Sequence, residues 1–140
     1  SVVGKRVGII TSQWNGQITN NMRKGAVDTL LDCGFSPENI IEWSVPGAFE
    51  LVNGAKRMIE EAVDAVIVIG CVIQGETKHF DFVCQGVTYG IAHLNATQDI
   101  PVIFCVLTDN TLQQSIDRSG GKHGNKGIEA AITAIQMIDL

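Results

Sequence analysis

Ala65-Val66-Ile67-Val68-Ile69-Gly70-Cys71 is a run with no charged or polar side chain and four consecutive β-branched residues, Val66 to Ile69. It is too short for a stable helix. Its unbroken apolarity also lacks the alternation of a strand with one face in water. It reads as a central strand of a parallel sheet, covered on both faces. Extended to Ile73 it remains far below the roughly 20 residues a membrane-spanning helix requires.

Three further runs resemble it. Val7 to Ile10 and Val102 to Leu107 are short and β-branched, and the second of these is continuously apolar, so a central place is expected for it too. Ile40 to Val45 alternates in part and belongs nearer an edge. Helical spacing fills the intervals. Ile18, Met22, Ala26, Val27, Leu30 and Leu31 form one stripe, with Gly34 as its stop. Ala48, Leu51, Val52, Ala55, Ile59 and Ala62 form a second. Phe82, Val83, Gly86, Val87, Gly90, Ile91 and Leu94 form a third, broad enough to pack on two sides, whose glycines suit close approach of a neighbour. Thr111 with Gln114 predicts a capping box opening a short helix. Ile128, Ala131, Ile132, Ile135 and Ile138 form the last stripe. The alternation predicts an α/β fold: a three-layer α/β/α sandwich on a four-stranded parallel sheet with right-handed crossovers. No repeat or linker divides residues 1–140, so a single domain is expected.

The 140 residues carry 10 Lys+Arg against 15 Asp+Glu, a net charge of −5, which argues against a dedicated nucleic-acid or membrane-surface binder. Charged residues make up only 18%, and 45% are apolar, which excludes a disordered chain and hints at surface buried against further copies. Cys33, Cys71, Cys84 and Cys105 show no metal-like spacing, and the start of the chain has no signal-peptide core. A reduced, cytoplasmic protein is the expectation.

In open parallel sheets ligands bind beyond the carboxyl ends of the strands. After the first run lies Thr11-Ser12-Gln13-Trp14-Asn15-Gly16, where Trp14 either stacks on a flat heterocycle or folds over the sheet edge. After the second comes Pro46-Gly47-Ala48-Phe49-Glu50, with Glu50 in a first helical turn, where capping alone would account for it. After the third, Gly70-Cys71-Val72-Ile73-Gln74-Gly75-Glu76-Thr77-Lys78-His79 has the composition of an anion-binding loop before a helix. His79 suits acid/base chemistry near neutral pH or is an ordinary surface histidine. Beyond the fourth, Arg118 through Gly127 holds three cations, four glycines and no acid. That is a phosphate-binding composition or a connector in which Arg118 caps a helix, and it is not a Walker A loop. No nucleophile triad or metal cluster is legible. The residues alone predict a binder of a small phosphorylated or anionic compound beside a flat ring, with His79 as acid/base.

At these positions the chain resembles the 6,7-dimethyl-8-ribityllumazine synthase family. Val45-Pro46-Gly47-Ala48-Phe49-Glu50 is similar to the family's second-strand motif. Ile69 through Asp81 is similar to its central G-x-V-I-x-G-x-T-x-H-[FY]-[DE] signature. Pro101 through Thr108, Arg118 and Gly124 through Ala131 are similar to its C-terminal part. The matches run in order over nearly the whole chain. They imply condensation of 5-amino-6-(D-ribitylamino)uracil with 3,4-dihydroxy-2-butanone 4-phosphate to give the lumazine, phosphate and water, the penultimate step of riboflavin biosynthesis. No metal or organic cofactor is implied.

By the same resemblance Trp14 stacks on the pyrimidine, while Ala48, Phe49 and Glu50 contact the ribityl chain and ring. Cys71, Val72 and Ile73 offer backbone groups to the pyrimidine edge. Glu76, Thr77 and Arg118 bind the butanone phosphate, and His79 is the general acid/base. Phe104 covers the ring from an adjacent subunit, with Lys126 assisting from that side. A homopentamer with sites at subunit interfaces is implied, in some members a 60-subunit shell of twelve pentamers, with riboflavin synthase as a protein partner. Trp14 stands where Phe is usual, and Glu76 where a small residue or Asp is common. Cys71 and Cys105 stand where small or hydroxyl residues are frequent, and Val52 where proline is.

A flavodoxin-like flavin carrier shares the alternation, and a flavodoxin-like sandwich is the fold expected. Thr11-Ser12 is thin for that carrier's phosphate loop. A receiver-type signalling module would need clustered carboxylates where this chain has Ile9-Ile10-Thr11-Ser12. A catalytically idle shell-forming or flavin- or lumazine-binding relative is the serious alternative, and its mark would be the loss of His79 or Arg118.

Overall fold

In the computed structural model, which describes Ser1–Leu140, four parallel strands form one sheet. The chain runs β1 (Val7–Ser12), α1 (Gly16–Asp32), β2 (Ile40–Val45), α2 (Leu51–Ile59), β3 (Ala65–Ile73), α3 (His79–Thr97) and β4 (Val102–Asp109). It ends with α4 (Leu112–Arg118), a small hairpin of β5 (Ser119–Gly121) and β6 (Gly124–Asn125), and α5 (Lys126–Ile138). Single 3-10 turns at Pro37–Asn39 and Ala48–Glu50 precede β2 and α2. No helix is long and apolar enough to cross a membrane.

Strand order is β2-β1-β3-β4. β3 is interior and buried on both faces over Ala65 to Cys71, as its composition predicts. Alternate residues feed two cores. Ile67, Ile69 and Cys71 join Val7, Ile9, Ile103 and Leu107 beneath α1 and α5, while Val66 and Val68 join Ile10, Val102 and Val106 beneath α2 and α3. Three strands outlast their apolar runs: β1 extends to Ser12, β3 to Ile73 and β4 to Asp109, so polar residues stay in the ladder at the carboxyl end, with Thr108 opposite Val72 and Asp109 opposite Ile73.

The structure corrects the expectation for β4, which is an edge strand. Its unbroken apolarity comes from helices above and below: Val102 and Val106 meet the α3 side, and Ile103, Cys105 and Leu107 the α5 side. Composition reports coverage of the faces and says nothing about a ladder partner. Phe104 consequently remains 41% exposed.

The last helix also departs from its predicted stripe. The buried face of α5 is Gly127, Ala130, Ala131 and Ala134, while Ile128 and Ile132 point outward and Ile135 and Ile138 sit at the rim. α1 and α5 lie so close that only small residues fit between them. A Cβ at Gly127 would collide with the backbone carbonyl of Met22, and one at Gly25 would come within 2.7 Å of the Asn125 side chain. The end of α1 follows expectation. Gly34 takes φ +105°, its N–H donates to the Leu31 carbonyl (3.1 Å) and that of Phe35 to the Leu30 carbonyl (3.1 Å), a Schellman stop.

On α3 the predicted stripe is covered on one side. Val87, Ile91 and Leu94 are buried, and the two glycines are notches: a Cβ at Gly86 would lie 2.8 Å from Phe49 Cε1, and one at Gly90 2.6 Å from Val52 Cγ2. Phe82 and Tyr89 face outward, 68% and 75% exposed, with Tyr89 stacked on His93 at a centroid distance of 6.3 Å.

Gly127→Ala is expected to destabilise the protein although alanine favours helix by about 1 kcal/mol. Overpacking costs about 1–3 kcal/mol, and here the obstacle is backbone that cannot rotate away, so a net loss of about 2 kcal/mol is expected in denaturant unfolding. Gly16→Ala, with nothing within 4 Å of the added carbon, should change stability by no more than about 1 kcal/mol. Equal midpoints for Gly127→Ala and wild type would contradict the close α1–α5 contact.

Candidate active site

The carboxyl ends of β1, β2 and β3 adjoin, and the loops leaving them are tied together. After β1, the N–H of Gln13 donates to the Val45 carbonyl (2.8 Å) and that of Trp14 to the Pro46 carbonyl (3.1 Å). The Trp14 indole lies over Gly47, where a Cβ would come within 2.6 Å of the ring; glycine is needed at 47 for space. One part of the indole therefore covers the turn, and the residue remains 64% exposed. Phe49, 60% exposed, lies two residues beyond Gly47 and packs against Gly86 of α3.

Glu50 caps its own turn, accepting at Oε2 from the N–H of Gly47 (3.0 Å). The capping role foreseen for it is real, and Oε1 is left for other donors. Beneath this turn Gly70 of β3 leaves room for α2 to settle on the sheet: a Cβ there would lie 2.8 Å from Leu51 Cδ1 and 3.4 Å from both the Ala48 methyl and Ser12 Oγ. The Ser12 hydroxyl is buried and has no hydrogen-bond partner.

Cys71 is held at both ends. Its carbonyl accepts from Asn15 Nδ2 (2.9 Å), and its thiol donates to Ser115 Oγ (3.3 Å). Burial pushes this thiol's pKa up and the nearby Asp109 carboxylate adds to the rise, against the bond with Ser115. Cys105 is pushed up to about 12, mainly by burial. Neither is poised as a thiolate nucleophile. Val72 and Ile73 are half-buried; beyond them the Gln74 N–H donates to the Asp109 carbonyl (2.9 Å) and the chain leaves the sheet. Glu76 and Thr77 are exposed. His79 is the first residue of α3 and exposed, its N–H donating to Thr77 Oγ1 (3.3 Å).

Arg118 ends α4, where Nη1 donates to the Gln114 carbonyl (2.9 Å). The capping box predicted at Thr111 is present, Thr111 Oγ1 accepting from the Gln114 N–H (3.2 Å). The glycine-rich basic stretch after Arg118 is an ordered hairpin. Two of its cations meet acids, Lys122 that of Asp117 on α4 (3.9 Å) and Lys126 that of Glu129 one turn along α5 (3.3 Å). Such exposed pairs contribute little.

Trp14, Ala48, Phe49, Glu50 and the Cys71–Ile73 backbone thus gather at one end of the sheet, with the Glu76–His79 loop continuing from it. Phe104 and Lys126 do not join them. They line a groove along the open edge of β4. That strand is two ladder spacings, about 10 Å, from β1, and Phe104 lies five residues, about 17 Å, before the strand's carboxyl end. No hydrogen bond or ion pair joins Arg118 to Thr77 or His79 within the chain.

Two contributors carried no assigned role in the sequence reading. Asn15 adopts φ 57°, ψ 45°, a left-handed conformation that Asn tolerates better than most residues, and opens α1 while bonding Cys71. The Asn-Gly pair before an apolar stripe was its available signal. Ser115 is the one buried residue of α4, and nothing in its neighbourhood of sequence marks it.

Comparisons with known proteins point to one family. The family model described as 6,7-dimethyl-8-ribityllumazine synthase matches residues 4–140. A protein of that name from Flavobacterium johnsoniae is 66% identical over 133 residues, 94% of this chain and 70% of its own. One from Christiangramia forsetii is 59% identical over 137 residues, covering 96% and 82%. One from Bacteroides fragilis is 57% identical over 135 residues, covering 96% and 94%. With the family model spanning residues 4–140 and relatives of that name 57% to 66% identical over most of the chain, the chain belongs to the 6,7-dimethyl-8-ribityllumazine synthase family.

Proposed function

We propose that this chain performs the family's reaction at a site completed by a second copy of itself. The reaction class follows from family membership: a transferase step of riboflavin biosynthesis. The amine of 5-amino-6-(D-ribitylamino)uracil attacks the ketone of 3,4-dihydroxy-2-butanone 4-phosphate to give an imine with loss of water. Phosphate is then eliminated, and the ribityl-bearing amine closes the ring on the remaining carbonyl with loss of a second water. Catalysis is positioning of two substrates and movement of protons, without a protein nucleophile.

The observation that carries the split-site reading is the separation of Phe104 and Lys126 from Trp14 and Phe49 within one chain. In this reading Trp14 stacks on the pyrimidine, and Ala48, Phe49 and the free Oε1 of Glu50 meet the ring and ribityl hydroxyls. Cys71, Val72 and Ile73 present backbone groups, and Phe104 of a neighbour covers the other ring face, with Lys126 beside it. Thr77 accepts from the His79 N–H and keeps its hydroxyl proton for a phosphate oxygen. Arg118 spends one donor on Gln114 and keeps the rest of its guanidinium for that phosphate. Glu76 contributes its backbone N–H, its carboxylate turned to water. His79 relays protons during imine formation and phosphate elimination.

The open β4 edge, the outward Phe82 and Tyr89, and the low charge content all support self-association, as a homopentamer and, in the larger form, a 60-subunit shell. Riboflavin synthase, the enzyme that consumes the lumazine, is the proposed protein partner. Four free cysteines fit a reducing, cytoplasmic setting, and residues 1–140 act as one domain.

His79→Ala should lower kcat by on the order of 10² with measurable turnover left, because positioning survives. Arg118→Ala should raise KM for the butanone phosphate about tenfold and leave KM for the pyrimidine unchanged; equal weakening of both substrates would refute the phosphate assignment. The split site is tested by complementation. Trp14→Ala and Phe104→Ala, each impaired alone, should recover activity when unfolded together and reassembled. No recovery, with mixed assemblies demonstrated, would put both residues in the same subunit's site. Absence of lumazine formation by folded, assembled wild type would favour an idle shell or binding protein.

A further inference from the structure

α4 is an unusual helix to carry a ligand-binding arginine. It has seven residues, too few to be stable by itself, and no apolar face holds it down: Leu112 and Ile116 are exposed and Ser115 is its sole buried residue. The capping box fixes its start and leaves its direction free. What ties it to the sheet is the Ser115 hydroxyl, which donates to Asp109 Oδ2 (2.8 Å) and accepts from the Cys71 thiol (3.3 Å). The bond to a carboxylate is charge-assisted, roughly twice as strong as a neutral one. Asp109 is itself well placed as an anchor, since it ends β4 and its carbonyl accepts from Gln74 at the end of β3. Burial keeps the Cys71 thiol protonated and therefore a donor, so every bond in the chain Cys71 → Ser115 → Asp109 has a proton of its own.

We propose that Ser115 is a positioning residue which, through Asp109, seats α4 on the sheet and so sets where Arg118 presents its guanidinium. Arg118 lies three residues beyond Ser115, on the same side of the helix, and is tied to α4 through the Gln114 carbonyl, so the guanidinium moves with the helix. The hydroxyl thereby links the strand end that offers backbone to the pyrimidine with the arm that receives the phosphate. This inference rests on the reading of Arg118 as the phosphate ligand.

The test is steady-state kinetics in both substrates, with inorganic phosphate as a competing probe, on Ser115→Ala, Asp109→Asn, Arg118→Ala and the Ser115→Ala/Arg118→Ala double variant. Ser115→Ala should raise KM for the butanone phosphate about tenfold, weaken inhibition by phosphate in parallel, and leave KM for the pyrimidine unchanged. In the Arg118→Ala background it should add nothing, because its effect passes through that arginine. Asp109→Asn keeps an acceptor without the charge and should give a smaller rise in the same KM; it decides the question by itself if Ser115→Ala folds poorly. An equal rise for both substrates, or an undiminished effect without Arg118, would overturn the proposal. So would no effect of Ser115→Ala where Arg118→Ala has one, and that outcome leaves the phosphate reading standing. If Arg118→Ala changes nothing, the phosphate reading fails and this inference with it.

Discussion

Burial of β3 on both faces is the constraint from which the other features follow. Each residue from Ala65 to Ile69 lies in one of two cores, so the strand can neither slip nor turn without emptying both. The neighbours inherit its register: Val7 of β1 finds its level opposite Ala65 and Val102 of β4 opposite Val66, and the helices settle at distances its side chains dictate. That fixity ends beyond Cys71, where Val72 and Ile73 are half-buried and the strand emerges between two layers. A rigid rod with a free carboxyl end is what a site requiring backbone groups at set positions needs.

Around that end the binding forces change kind. Below it contacts are aliphatic and non-directional; above it the loops are held by single directed bonds. Asn15 grips the Cys71 carbonyl, Glu50 the turn at Gly47, and Ser115 the carboxylate of Asp109. Each costs desolvation and returns a fixed angle in exchange. Glycine supports the same end by omission, since Gly47 and Gly70 let an indole and a leucine occupy space that a methyl group would deny.

Much of this was legible in the residues. The unbroken run at Ala65 identified the central strand, Thr111 and Gln114 announced a cap, and Gly86 and Gly90 marked a close contact, all from patterns with a local physical cause. The place of β4 at the edge was not, because apolarity records what lies above and below a strand and is silent about who sits beside it. The buried face of α5 was misread for a related reason: the isoleucines carry the greater hydrophobicity, yet contact distance with α1 admits only glycine and alanine. At the site the single-chain sequence distinguishes residue types well and distances poorly. The resemblance gives Trp14 and Phe104 to different subunits, and the strand order adds the reason within one chain: two ladder spacings lie between their strands. Ser115 left no trace at all, since a serine acting through one hydroxyl resembles any other.

The notches on α3 tie the proposed ligand wall and the proposed proton carrier to one body. Phe49 rests in the hollow of Gly86 and Val52 in that of Gly90, while His79 begins the same helix seven residues, about 10 Å, before the first notch. Any displacement of α3 as a rigid body would carry imidazole and phenyl ring together, as two points on a single lever. The glycines in this way are the points of coupling: a side chain at either would push the wall off the helix and leave the two free to move apart.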